Sequence, residues 1–92
     1  GYGDALARCV AEIVDLKAII SAKQQQCIYE RNRLERYISS IPDSLTRQIF
    51  TYRFVNGLSW WQVAYSIGGG NTEASVKMTC YRYLNAEKSD KN

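Results

Sequence analysis

Residues 66–72 read "SIGGGNT", with three consecutive glycines between two stretches of helical periodicity. Such a cluster either cradles a phosphate group or lets the chain turn sharply between two helices. A nucleotide-binding P-loop needs a strand before its glycines and a lysine directly after them. Here the preceding segment has a helical pattern and no lysine follows directly. The sequence therefore predicts a tight turn in a helix-turn-helix.

The helix before this turn has clear start and stop signals. Ser59 and Gln62 have the spacing of a capping box, in which each side chain satisfies a backbone donor near the other residue. The pattern predicts a short helix from Trp60 to about Ile67, ended by Gly68 with a positive φ.

Two adjacent tryptophans lie in this short helix. Trp60 and Trp61 point about 100° apart, so both cannot be fully buried. We expect one of them in the core and take Trp60 to be the more exposed.

The helix after the turn is predicted to begin at a cap formed by Asn71 or Thr72 and to run to about Asn85. One face of it is apolar at helical spacing: Val76, Cys80, Tyr83 and Leu84.

Upstream of Gly57, another helix is predicted from about Asp43 to Val55, with Asn56-Gly57 as its stop signal. Pro42 disfavours helical geometry in the residue before it and suits the first turn of a new helix. Asp43 would then face the positive end of that helix.

The first forty residues predict one long helix, or two helices with a break near the polar run at Lys23. Such a helix needs a partner surface, either the rest of this chain or a second copy. Four apolar residues at heptad-like spacing form the predicted dimerisation surface: Leu6, Ile13, Leu16 and Ile20.

These patterns predict an all-α chain: a long N-terminal helix or helix pair, then a three-helix domain ending in the helix-turn-helix. We divide it into a helical N-terminal region (1–41), a helix-turn-helix domain (42–86) and a polar tail (87–92) that we expect to fray.

Composition argues against several classes of function. The chain of 92 residues has no histidine and no nucleophile paired with a base. We therefore expect that it is not an enzyme and that it binds no cofactor. Its three cysteines are far apart, which predicts buried free thiols in a reducing cytoplasm and no metal site. No apolar run suits a membrane span, and the net charge of +3 permits contact with nucleic acid without requiring it.

Residues 57–84, "GLSWWQVAYSIGGGNTEASVKMTCYRYL", resemble the C-terminal helix-turn-helix of bacterial sigma factors. The matching positions are Gly57, Leu58, Ser59, Val63, Ala64, Ile67 and Gly68, followed by Val76, Lys77, Cys80, Arg82 and Leu84. The whole is similar to small phage and prophage transcriptional regulators of the ArpU or late-transcription-activator type. The resemblance implies sequence-specific binding of double-stranded DNA in the cytoplasm of a bacterial host, with RNA polymerase as a further partner.

The resemblance also implies which residues would touch DNA. The last helix would enter the major groove, with base contacts from its N-terminal half: Asn71, Thr72, Glu73, Ser75, Lys77 and Met78. Phosphate contacts would come from Ser59, Trp60 and Arg82. Arg47 and Arg53 either add phosphate contacts or are simply solvated.

Two alternatives stay open at this stage. A small subunit of a phage terminase, or another DNA-packaging protein, also joins a helix-turn-helix to an oligomerising helical part. A protein-interaction adaptor would keep the helix-turn-helix without binding DNA, in accord with the modest positive charge.

Overall fold

The N-terminal segment forms a single uninterrupted helix. A computed structural model describes residues 1–90, apart from the side chain of Asp90, and α1 spans Tyr2–Ser39. The polar run at Lys23 does not break it, since lysine and glutamine are good helix formers. Of the two arrangements that the sequence left open, the structure has the single helix.

A short corner joins α1 to α2, which spans Ser44–Phe50. The carboxylate of Asp43 accepts hydrogen bonds from the backbone N–H of Thr46 at 2.9 Å and from its hydroxyl at 2.7 Å. Asp43 therefore lies at the positive end of α2, as predicted, and it also caps the helix. Ile41 lies in the corner, outside α1, and is fully buried.

The end of the second helix differs from the prediction. We expected a regular helix to Val55, but α2 ends at Phe50 and a π-helical turn covers Thr51–Val55. The wider turn is closed by the Asn56 N–H, which donates to the carbonyl of Thr51 at 3.0 Å. Gly57 follows with a φ of 71°, as its predicted role at the helix end requires.

Two further helices complete the described part of the chain. The predicted short helix is confirmed as α3, Trp60–Ile67, and α4 spans Glu73–Asp90. The last helix thus continues beyond Asn85, where we expected it to end and the tail to begin fraying. Its extension is anchored at Glu87, whose carboxylate accepts hydrogen bonds from the hydroxyls of Tyr37 at 2.6 Å and Tyr83 at 2.9 Å. Residues 91 and 92 of the predicted tail lie outside the described residues.

The chain divides into two units, residues 1–32 and 33–92. Every residue of the first unit is exposed. The last turns of α1 belong to the second unit, where Leu34 and Tyr37 pack against its core. That core gathers residues from α1, the corner and all three later helices: Ile38, Ile41, Ile49, Phe50, Val63, Ala64, Val76 and Cys80.

Residues 1–90 contain helices and turns but no strand, so the predicted all-α class is confirmed. Within this part of the chain, no helix combines the length and the apolar character that crossing a bilayer would require.

Candidate nucleic-acid interface

The start of α3 has a complete capping box. The N–H of Gln62 donates to Ser59 Oγ at 3.2 Å, and the N–H of Ser59 donates to Gln62 Oε1 at 2.9 Å. These bonds satisfy two backbone donors that a helix start otherwise leaves open. Ser59 itself is exposed, so the first turn of α3 is accessible from solvent.

The turn after α3 uses all three glycines in the left-handed half of backbone space. Gly68, Gly69 and Gly70 have φ values of 70°, 63° and 81°. Asn71 then fixes the turn, because both its side-chain amide, at 2.8 Å, and its backbone N–H, at 3.1 Å, donate to the carbonyl of Gly68. The predicted tight turn between the two helices is therefore present.

Thr72, and not Asn71, supplies the cap of α4. The N–H of Ser75 donates to Thr72 Oγ1 at 3.1 Å, and the N–H of Thr72 donates to Ser75 Oγ at 2.9 Å. The two hydroxyls thus form a reciprocal cap. Thr72 and Ser75 were expected to contact bases, but in this structure both side chains hold the helix start.

The rotation of α4 about its axis is set by its buried residues. Val76 and Cys80 are fully buried in the core, and this burial raises the pKa of the Cys80 thiol. The opposite side of the helix is exposed along its length: Glu73, Ala74, Lys77, Met78, Tyr81, Arg82 and Asn85. We call these seven residues the α4 outer face.

Four members of this face were expected to contact DNA, whereas Ala74, Tyr81 and Asn85 were not. The signal that would have found them is helical spacing. Residues three, four, seven and eight positions beyond Ala74 share its side of a helix, and Asn85 continues the same row. Leu84 was expected on the buried side, but the structure leaves it exposed.

Two arginines proposed as phosphate contacts serve the domain itself. Arg47 donates to the carbonyls of Ile41 at 2.7 Å and Pro42 at 3.0 Å, which secures the corner before α2. Arg53 donates to the carbonyl of Leu58 at 2.9 Å. Both side chains are half-buried. The α4 outer face carries two exposed cations, Lys77 and Arg82.

The expectation for the tryptophans was reversed. Trp61 is 63% exposed, whereas Trp60 is half-buried and packs against the core. The Trp60 ring lies 6.5 Å from that of Phe54 and 6.1 Å from that of Tyr81, and the Arg53 guanidinium sits over it at 4.8 Å. Trp60 is held by the helix that precedes it and by α4, which the sequence of α3 alone does not reveal.

The structure leaves a second aromatic pair in solvent. The rings of Trp61 and Tyr65 stack at 5.7 Å with an interplanar angle of 16°, and Tyr65 is 77% exposed. They are four positions apart, so they lie on the same side of α3.

The predicted dimerisation residues all belong to the first unit. Leu6, Ile13, Leu16 and Ile20 are between 48% and 57% exposed. Of the three cysteines predicted to be buried, only Cys80 is buried, and Cys9 and Cys27 are exposed on α1. Among residues 1–90, no group of three or more side chains is arranged to hold a metal ion.

Searches against family models, curated proteins and solved structures gave no match to this chain.

Proposed function

We propose that this chain binds double-stranded DNA sequence-specifically, as a transcriptional regulator with a sigma-like helix-turn-helix that acts in the bacterial cytoplasm. The observation that carries the proposal is the arrangement of α4. Its inner side is anchored by Val76 and Cys80, while its outer face is exposed along three turns. A helix presented in this way is what major-groove reading requires.

The outer face offers groups suited to base edges. Lys77 donates to guanine O6 or N7, and Glu73 accepts from the amino group of cytosine. Met78 and Ala74 provide apolar contact for a thymine methyl group. Their side chains are exposed in the first turns of α4, the part of a recognition helix that meets the bases.

Phosphate contacts set the register of such a complex. Arg82 lies farther along α4 than the base-reading residues, and Ser59 marks the exposed start of α3, where helix amides attract anions. Trp60 stays in the proposal because its ring packs beside the ring of Tyr81 and supports that residue of the α4 outer face.

The small number of free cations limits affinity. Residues 43–84 carry Arg47, Arg53, Lys77 and Arg82 against Asp43 and Glu73, and the two earlier arginines already bind carbonyls of the domain. A monomer with so few phosphate contacts binds weakly, and its affinity falls steeply with salt. Useful affinity then needs a second copy of the chain or recruitment by RNA polymerase.

The decisive experiment selects bound fragments from random and genomic DNA at low salt, then titrates salt for the selected sequence. Lys77→Ala should lower the preference for that sequence by about 1–3 kcal/mol, because a base contact is lost. Arg82→Ala should weaken binding to all sequences alike and reduce the salt slope by about 1. The matched control is Arg8→Ala, which removes an exposed cation from the first unit.

Failure of this experiment has a clear form. If the chain retains no DNA even at low salt, or if Arg8→Ala weakens binding as much as Arg82→Ala, the α4 outer face does not bind DNA.

One observation favours a second function, a protein-interaction adaptor. The stacked pair Trp61 and Tyr65 exposes a large aromatic surface, and such residues are enriched in the centres of protein interfaces. An adaptor would lose its partner on Trp61→Ala and would be indifferent to Lys77→Ala. The DNA-binding proposal expects the opposite result, so this pair of variants separates the two functions.

A further inference from the structure

The first unit leaves a row of apolar side chains open to water. Five residues alternate at intervals of three and four along α1: Leu6, Cys9, Ile13, Leu16 and Ile20. We call this row the α1 seam. All five residues are exposed in the single chain. Monomeric proteins rarely expose contiguous apolar surface of this kind, and a solitary helix is marginal in water.

We propose that the α1 seam pairs with the same seam of a second copy, as a parallel, in-register two-stranded coiled coil. The spacing fits the first and fourth positions of a heptad, with Leu6, Ile13 and Ile20 at the first and Cys9 and Leu16 at the fourth. Isoleucine at the first position with leucine at the fourth favours two parallel strands. The pairing does not depend on DNA binding, so it stands or falls separately from the proposed function.

The charges beside the seam select a second copy in the parallel direction. Glu12 precedes Ile13 and Lys17 follows Leu16, so they occupy the two heptad positions that flank the core. In a parallel pair, Glu12 of each strand faces Lys17 of the other, which gives two attractive contacts by symmetry.

The antiparallel direction is disfavoured by the same residues. The antiparallel register that aligns Leu6 with Leu16 of the other copy brings the two Glu12 side chains together. Sliding by one heptad avoids that repulsion but places Lys23 against Leu6 in the core. Neither arrangement combines a fully apolar seam with matched charges.

The length of the seam is bounded at both ends. Lys23 occupies the next fourth position, and the glutamines around it extend the polar interruption. Farther on, Leu34 has the seven-residue spacing but packs against the core of the second unit. The seam therefore covers about two heptads, roughly 21 Å of helix, and the dimer should dissociate on dilution.

The first test is sedimentation equilibrium of the full chain over a wide concentration range. We expect a monomer–dimer equilibrium in which Ile13→Asp raises the dissociation constant at least about tenfold, since it places two charges in the core. The matched control is Val14→Asp, at a site that is 58% exposed but outside the seam, which should leave the constant nearly unchanged. A monomer at every concentration, ring-sized oligomers, or equal effects of the two variants would overturn the proposal.

The second test determines direction with the chain's own cysteines. In a Cys27→Ser variant, two cysteines remain: Cys9, which is exposed, and Cys80, which is buried. A parallel pair brings the two Cys9 side chains together in one core layer, within reach of a disulfide, whose Cα separation is roughly 4.4–6.8 Å. Oxidised glutathione accepts the two electrons and two protons of the thiols and leaves as two reduced molecules, so a covalent dimer should form.

The control for this reaction is the Cys9→Ser/Cys27→Ser double variant, which should stay uncrosslinked. A dimer by sedimentation that forms no Cys9 disulfide would be antiparallel and would refute the parallel arrangement. Glu12→Gln gives an independent reading. It should weaken a parallel dimer, which loses two attractive contacts. It should strengthen an antiparallel dimer in the register that brings the two Glu12 side chains together, which loses a repulsion, and leave the slid register nearly unchanged.

Discussion

At the scale of single residues, Arg53 connects two parts of the second unit through different kinds of contact. Its guanidinium donates to the carbonyl of Leu58 and sits over the ring of Trp60. An arginine over an aromatic face contributes through charge and through packing. The segment between the π-helical turn and α3 is thereby fastened to the first residue of α3.

The two tryptophans provide the test of this packing. Trp60→Ala should lower the free energy of unfolding by roughly 2–3 kcal/mol, below the 3–5 kcal/mol of a fully buried aromatic because Trp60 is half-buried. Trp61→Ala should change it by about 0.5 kcal/mol or less, since Trp61 is exposed. Urea unfolding followed by fluorescence measures both, because each variant keeps one tryptophan. Equal losses would contradict the assignment of Trp60 to the core.

Asp43 gives the domain an acid-sensitive cap. The hydrogen bonds from the hydroxyl and then the backbone N–H of Thr46 hold the pKa of Asp43 below its usual value. A lowered folded-state pKa means that the stabilisation is present above the unfolded pKa of about 3.9 and is lost as the pH falls below it. We expect Asp43→Asn to be less stable than the parent at pH 7 and to approach it near pH 3. Urea unfolding at both values measures this, and a gap that stays constant would argue against the cap.

At the scale of elements, the turn between α3 and α4 depends on backbone conformation and not on space. Gly68 has a φ of 70° and a ψ of −151°, a region that is almost confined to glycine. A Cβ added there meets no atom within 4 Å, so a substitution would suffer only backbone strain.

Replacing Gly68 should therefore be costly even with the smallest side chain. Gly68→Ala should lower the free energy of unfolding by about 1–3 kcal/mol, the cost of a strained conformation. Gly68→Asn should not rescue it, because asparagine tolerates the left-handed helical region and not this one. The control is Gly3→Ala inside α1, where φ is not positive and alanine favours the helix. A neutral Gly68→Ala would show that the turn relaxes to another conformation.

At the scale of the whole second unit, Glu87 connects the end of α4 to the end of α1. It accepts hydrogen bonds from Tyr37 of α1 and from Tyr83 of its own helix. Burial, and then the hydrogen bond to Glu87, raise the pKa of both tyrosines. Tyr37 also packs against Phe50 at 6.3 Å, so the polar link lies beside the aromatic part of the core.

Glu87→Ala should lower the free energy of unfolding by about 1–3 kcal/mol, because two tyrosyl hydroxyls lose their acceptor. It should also speed amide exchange in the last turns of α4. Lys88→Ala is the control on the same turn, and its exposed side chain should matter by about 0.5 kcal/mol or less. Unchanged exchange in α4 would mean that this link does not hold the helix end.

Alkaline pH should weaken the same link. A tyrosine whose folded-state pKa is raised contributes stability below the unfolded pKa of about 10 and loses it as the pH rises above that value. The free energy of unfolding of the parent should therefore fall above about pH 10, more steeply than that of Tyr37→Phe. Parallel curves for the two proteins would contradict a role for the Tyr37 hydroxyl in this pH dependence.

The sequence by itself determined the local events of this chain. Asp43 and Ser59 start helices, and Gly57 and Gly68 end them, because each effect depends on hydrogen bonds or φ values within a few residues. The helical periods of α3 and α4 also depend on neighbouring residues, and they predict the all-α class and the turn between these two helices. The predicted helix ended too early, near Asn85, because the end of α4 is held by a distant residue. Glu87 accepts a hydrogen bond from Tyr37, fifty residues earlier in the chain.

Only the tertiary structure decided which side chains are buried and which groups they contact. Which of Trp60 and Trp61 is buried depends on the rotation of α3 about its axis, and that rotation is fixed by Phe54 and Tyr81 on other elements. Arg47 and Arg53 likewise find carbonyls that the corner and the π-helical turn bring within reach. Hydrophobic periodicity indicates that one side of a helix is buried. The side chains that pack against that side come from distant parts of the chain and are brought together only by folding.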